Sequence, residues 1–115
     1  MALVDDGSVN TMILDLAAAR PDAPALSDDL GATRTRLELI DRATRIGHVL
    51  RDELGVGRGG HLAVLTDNRV EVFEIYLAAV LSGVWFVPVN GLLARHEVAH
   101  ILRDAQAQVV LAEDD

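Results

Sequence analysis

Three short apolar runs constrain this chain more than any other feature: HLAVLT (61–66), VWFVPV (84–89) and QVVLAE (108–113). Strands that read as near-continuous apolar stretches belong to parallel sheets covered on both faces. Parallel neighbours need a crossover of a dozen or so residues, usually a helix. Helix-length segments separate these runs, so the pattern specifies βαβαβ with right-handed crossovers. The fold class expected is α/β: an N-terminal helix and a β-hairpin, then a parallel-sheet unit.

The segments before the sheet follow from local signals. Ser8 to Ala19 reads as a helix with Met12, Ile13, Leu16 and Ala17 on one face, ended by Arg20-Pro21. APALSDD and ATRT read as a hairpin turning at Gly31. Thr35-Arg36-Leu37-Glu38 is a capping box: the Thr35 hydroxyl accepts from the Glu38 N–H, and the Glu38 carboxylate reaches back. The helix that follows carries Leu39, Ala43, Ile46 and Leu50 on one stripe, with Asp41 and Arg45 as an exposed i,i+4 pair. Gly55 supplies its left-handed C-cap. Asn68 is the expected cap of the next helix, with Glu71 and Glu74 near its positive end. Phe73, Tyr76, Leu77, Val80 and Leu81 are its expected buried stripe, and Gly83 its stop. A third helix, Ala94 to Ala105, turns Val98, Ile101, Leu102 and Ala105 inward. The division is therefore 1–20 helix, 24–35 hairpin and 36–115 α/β unit.

Composition excludes several chemistries. A formal net charge of -8 leaves no basic surface to follow a phosphate backbone, so nucleic acid is not an expected partner. With no cysteine there is no disulfide or thiolate chemistry, and the chain suits a reducing cytoplasm. MALVDDGSVN has neither a basic n-region nor an apolar h-region, so it is not a signal peptide. All ten basic residues are arginine; a reaction that requires a lysine ammonium cannot be completed by these residues.

Three motifs promise functions that their contexts withdraw. GVGRGG (55–60) spells G-x-G-x-x-G, but a dinucleotide loop runs strand, glycines, helix, and here the helix comes first. The uncharged segment from Ile75 to Ala94 is as long as a membrane span, yet it contains Gly83, Pro88, Asn90 and Gly91 and changes period partway. It reads as a buried helix followed by a buried strand. HEVAH (96–100) puts His96 and His100 on one helix face, as zinc would require. That face is opposite Val98, Ile101 and Leu102. The extended H-x-x-G-x-x-H pattern fails at Arg103 and Gln106, Glu113 lies at a strand end, and His48 and His61 lie upstream. The histidines read as solvated, with Glu97 favouring the first turn.

The ordered blocks ARPDAPAL, TRTRLELIDRATRIGHVL, LGVGRGGHLAVLTDN, YLAAVLSGVWFVPVN and HEVAHILRDAQAQVVLAE together resemble the N-terminal portion of the adenylate-forming (AMP-binding) synthetases. The flavour is nearest to bacterial fatty-acyl-CoA ligases. TRTRLEL resembles the first core motif of that family and VLSGVWFVPVN the second. Arg36 stands where an aromatic is usual, and Gly60 where an aspartate commonly follows the glycine.

The resemblance implies an incomplete part of a larger domain. It also implies a two-step reaction: a carboxylate attacks the α-phosphate of Mg-ATP, giving acyl-adenylate and pyrophosphate, and a thiol such as that of coenzyme A displaces AMP. The family's phosphate loop ending in lysine, its aromatic-Thr-Glu motif, its ribose-binding aspartate and its C-terminal lysine have no counterpart in these 115 residues. No residue here is therefore assigned to catalysis, cofactor binding or a metal. The 115 residues are expected to be inactive alone. ATP, magnesium and coenzyme A belong to the full-length family. The expected partners are the remainder of a synthetase, or a second copy through an exposed sheet edge. The rival reading is a non-catalytic interaction module.

Overall fold

The computed structural model describes residues 9–112 apart from residue 68. Helix α1 (Val9–Ala19) leads into strands β1 (Pro24–Ser27) and β2 (Thr33–Thr35), which pair antiparallel. Helix α2 (Arg36–Asp52) follows, then β3 (His61–Leu65), α3 (Val70–Ser82), β4 (Trp85–Val89), α4 (Arg95–Asp104) and β5 (Val109–Ala112). The second sheet is wholly parallel, in the order β4-β3-β5. This is the expected α/β arrangement, with β3 central.

Helix α2 starts where the capping box predicts. The Glu38 N–H donates to Thr35 Oγ1 at 3.1 Å, and the Thr35 N–H donates to Glu38 Oε1 at 2.7 Å. The next two free amides, of Arg36 and Leu37, donate to the carbonyls of Ala23 and Pro21, both at 2.9 Å. The hairpin's entry strand is thereby tied to the helix start. The Asp41–Arg45 pair forms at 2.6 Å on the exposed side. Gly55 is left-handed (φ 70°), two residues past the cap position at Glu53. Gly83 ends α3 with φ 71°, its own N–H donating to Val80 and that of Val84 to Ala79. That is a Schellman motif, which uses the glycine's freedom at positive φ.

The core lies between the α2–α3 pair and one face of the sheet. Leu50, Val56, Leu62, Val64, Ala79 and Val84 form it, with Ile46, Ile75, Phe86, Val109 and Leu111 packed around them. A second cluster, Ala43, Leu77 and Ala78, joins α2 to α3 and receives Ile13 from α1. Burial of a leucine side chain contributes about 2 kcal/mol, so this layer carries much of the fold's stabilisation.

Several expected faces are corrected. In α1 the residues turned inward are Asn10, Ile13 and Ala17; Met12 and Leu16 are more than half exposed. In α3 the buried stripe is Val70, Glu74, Leu77 and Ala78, whereas Phe73 and Tyr76 are about half exposed. VWFVPV is not a fully buried strand. It forms an edge, and Trp85 is 67% exposed. The sheet's second face is only partly covered, because α4 buries no residue completely. The cap position of α3 falls on Arg69; Asn68 lies outside the described residues, as do Ser8 and Glu113. No helix among the described residues is long and apolar enough to cross a membrane.

Candidate functional site

The strand order places a crevice. The chain leaves β3 to reach β4 on one side, and leaves β4 to reach β5 on the other side of β3. Right-handed crossovers in opposite directions send their helices to opposite faces. The loops after β3 and β4 therefore part at the carboxyl ends of the strands, where open α/β sheets bind ligands. Side chains agree with this. Leu62 and Val64 of β3 face the α2–α3 layer, whereas His61 on the other side puts Nδ1 2.6 Å from the Ala105 carbonyl at the end of α4.

At that parting lies a cleft of about 500 Å³, lined by Thr66, Asp67, Asn90, Gly91 and Leu92 above Val64 and Phe86. Asn90 Oδ1 accepts from the Leu92 N–H at 2.9 Å, which fixes the loop after β4 as an Asx turn. A smaller hollow beside it shares Val64 and Thr66 and adds Arg69 and Glu71. Together these walls offer a hydroxyl, an amide, two carboxylates and a guanidinium over an apolar floor. Such a set can orient a polar group by hydrogen bonds. The lysine that phosphoryl chemistry would call on is missing from these 115 residues.

The motifs singled out in the sequence lie elsewhere. His96 and His100 are exposed on α4, on the side away from Val98, Ile101 and Leu102. Glu97 acts as an N-terminal cap, its Oε1 accepting from the Ala94 N–H at 3.0 Å. Among the described residues no group of three or more His, Asp or Glu is placed to hold a metal ion. The GVGRGG loop sits at the amino ends of the strands, opposite the crevice. Its Gly59 N–H donates to the Gly83 carbonyl and its Gly60 N–H to Gly57, both at 2.8 Å. It is a turn with no helix N-terminus behind it.

Two polar devices, which no local sequence pattern specifies, join the hairpin and α2 to α3. Glu74 is completely buried. Its Oε2 accepts from Arg34 Nε of β2 at 2.8 Å and from Arg42 Nε of α2, while its Oε1 has no hydrogen-bond partner. The hydrogen bond to Glu74 raises the Arg34 pKa. The one available signal was that Glu74 shares a helical stripe with Val70, Leu77, Ala78 and Leu81.

The second device is Asp28, in the turn of the hairpin. Its carboxylate accepts from the Leu30 and Ala32 amides at 3.0 Å and from the Val70 amide at 3.2 Å. It thus serves the first turn of α3 from 42 residues away. Desolvation alone would raise its pKa; the amides of Ala32, Val70 and Leu30, with Arg69 nearby, outweigh that and hold it below the ordinary value. Both devices fix the hairpin and α2 against the helix that leaves the crevice.

Comparison with known proteins gives this geometry a context. Residues 14–115 match the family model described as AMP-binding enzyme. The fatty acid–[acyl-carrier-protein] ligase ScoC of Streptomyces coeruleorubidus is 33% identical over 99 residues, which is 86% of this chain and 19% of that protein. The hybrid PKS-NRPS synthetase buaA of Petromyces alliaceus is 32% identical over 102 residues, 89% of this chain and 2% of that protein. Among solved structures, VinN in complex with L-aspartate superposes with a TM-score of 0.87 at 30% identity, over 95% of this chain and 28% of that one. The N-terminal domain of FACL13 from Mycobacterium tuberculosis gives 0.82 at 30% identity, over 90% of this chain and 26% of that one. The chain thus spans about a quarter of these structures, and less of the curated relatives.

Proposed function

Because the chain belongs to the AMP-binding enzyme family, we propose that it is the opening scaffold of an acyl-adenylate-forming ligase of the fatty-acyl type. The whole enzyme would join a carboxylate to AMP from Mg-ATP, releasing pyrophosphate, and pass the acyl group to a thiol such as coenzyme A. The observation that carries this reading is the match over residues 14–115 together with the 0.87 superposition. The fatty-acyl flavour is supported by the 33% identity to a fatty acid–[acyl-carrier-protein] ligase; similar identity to a peptide-synthetase relative is its competitor.

In this reading the segment's task is positional. Glu74, Arg34, Arg42 and Asp28 lock the hairpin and α2 onto α3, and that lock fixes where the loops after β3 and β4 part. Developing charge on the transferred phosphoryl oxygens needs preorganised cations, and those come from other parts of the enzyme. The cysteine-free composition suits a cytoplasmic setting. The partners are the remaining parts of a synthetase, or a second copy of the chain. Half-exposed Phe73 and Tyr76, with Trp85 beyond, favour a surface that something else covers.

The test is acyl-dependent ATP–pyrophosphate exchange by the purified 115-residue chain, with fatty acids and with amino acids as substrates. No exchange above blank is expected for either. Turnover with any acid would overturn the scaffold reading.

A further inference from the structure

The helices that pack on the sheet begin in two different ways. Helices α2 and α4 cap themselves: Glu38 and Glu97, each in a first turn, accept from the amides of Thr35 and Ala94. Helix α3 takes its acceptor from elsewhere. Its cap position is Arg69, whose side chain has no oxygen to receive a first-turn amide. The Val70 amide donates instead to Asp28 Oδ2 at 3.2 Å, an oxygen brought by the hairpin. The other oxygen of that carboxylate, Oδ1, holds the hairpin's own turn by accepting from Leu30 and Ala32. The turn places Gly31 at φ 93°, with its N–H donating to the Asp28 carbonyl at 3.3 Å. The first turn of α3 is also a wall of the crevice: Val72 lines the larger cleft, and Arg69 and Glu71 line the hollow beside it. One carboxylate therefore stands between a glycine turn and that wall.

We infer that Asp28 couples the two: the hairpin turn and the first turn of α3 order and loosen together, so the state of the turn sets how firmly the crevice wall is held. Each oxygen meets its partners only while the bonds to the other keep the carboxylate in place. Such coupling is reciprocal. A group that settles in the crevice and firms the turn around Val72 also firms the hairpin at Gly31. The body of α3 stands outside the device, because Glu74 anchors it separately through Arg34 and Arg42. The coupling does not depend on the reaction that the crevice serves, so it stands or falls separately from the adenylation reading.

The experiment is residue-level hydrogen exchange on the purified chain, with the amides of Leu77 to Leu81 as the reference for opening of the whole helix. In Asp28→Asn the remaining carbonyl oxygen can keep the turn, but the NH2 group facing Val70 cannot accept. The amides of Val70 to Glu74 should then exchange about fivefold faster relative to the reference, which is the loss of one cap bond. Those of Leu30 and Ala32 should keep their protection. In Gly31→Ala the new Cβ meets nothing within 4 Å, so the substitution acts only through the strained backbone. It should nonetheless speed Val70 to Glu74 by a similar factor, and add nothing further in the Asp28→Asn background. Three results would overturn the proposal: unchanged relative exchange of Val70 to Glu74 in Asp28→Asn, the same in Gly31→Ala, or factors that multiply in the double variant. Should Gly31→Ala fail to fold, Asp28→Asn still decides, because an unchanged first turn there removes the link on which the coupling depends.

Discussion

Both faces of the parallel sheet are apolar, yet they are closed to different degrees. On the first, α2 and α3 pack on the sheet and on each other, and Leu50, Leu62 and Ala79 are at most 1% exposed. On the second, α4 contributes Val98, Ile101, Leu102 and Ala105, all only partly buried. Residue type does not explain the difference. The first face has two long helices that also shield one another; the second has a single helix of 10 residues. Patterning decides which side of a helix turns inward, and the number of helices per unit of sheet decides how completely water is excluded.

The largest expected effect tests that comparison directly. Leu50→Ala should cost about 3 to 4 kcal/mol, since it removes transfer free energy and leaves a cavity in a closed layer. Ile101→Ala on α4 should cost about 1 kcal/mol, because water already reaches the site. Urea unfolding of the two variants measures both. Equal costs would mean that the second face is closed in solution, for instance by a partner.

A smaller effect sharpens the account of the first face. Arg34→Met leaves the buried Glu74 carboxylate with Arg42 alone, which should cost about 2 kcal/mol. Glu74→Leu should cost less, although it disrupts the same pairs, because Arg42 is 44% exposed and can return to water. The reverse order in thermal melts would show that the ion pairs, rather than the buried charge, set the balance.

The smallest effect is in the acid limb. A carboxylate whose folded pKa is lowered stabilises the fold above its unfolded pKa, and loses that contribution as pH falls through the folded value. For Asp28 the loss should fall below pH 3.8, its ordinary value, and Asp28→Asn should flatten the melting-temperature profile there. An unchanged slope would assign the acid sensitivity to other carboxylates, Glu38 among them.

What could be read from the sequence was what is settled within a few residues. The Thr35–Glu38 capping box, the Asp41–Arg45 pair and the inward side of α4 all follow from spacing along one helix. Parallel pairing follows from apolar runs joined by helix-length segments. What could not be read depends on partners far along the chain. Phe73, Tyr76, Met12 and Leu16 are apolar, and spacing alone cannot distinguish a side chain turned to the core from one left on the surface. Glu74 looked like a helix-start acid because Arg34 and Arg42 lie 40 and 32 residues away. The crevice needed the strand order, which no local pattern specifies. HEVAH and GVGRGG had the right letters and the wrong surroundings.

The Asp28 and Glu74 bonds also govern how this segment can be exchanged between relatives. The hairpin touches α3 through an acid in its turn and an arginine in its second strand, and each meets a specific group on that helix. Residues 24–35 and 70–82 therefore behave as one heritable block, although 34 residues separate them. A chimera that takes the hairpin from one parent and α3 from another inherits half of each bond. Crossovers that keep both pieces from one parent, or that fall after residue 83, leave the block whole.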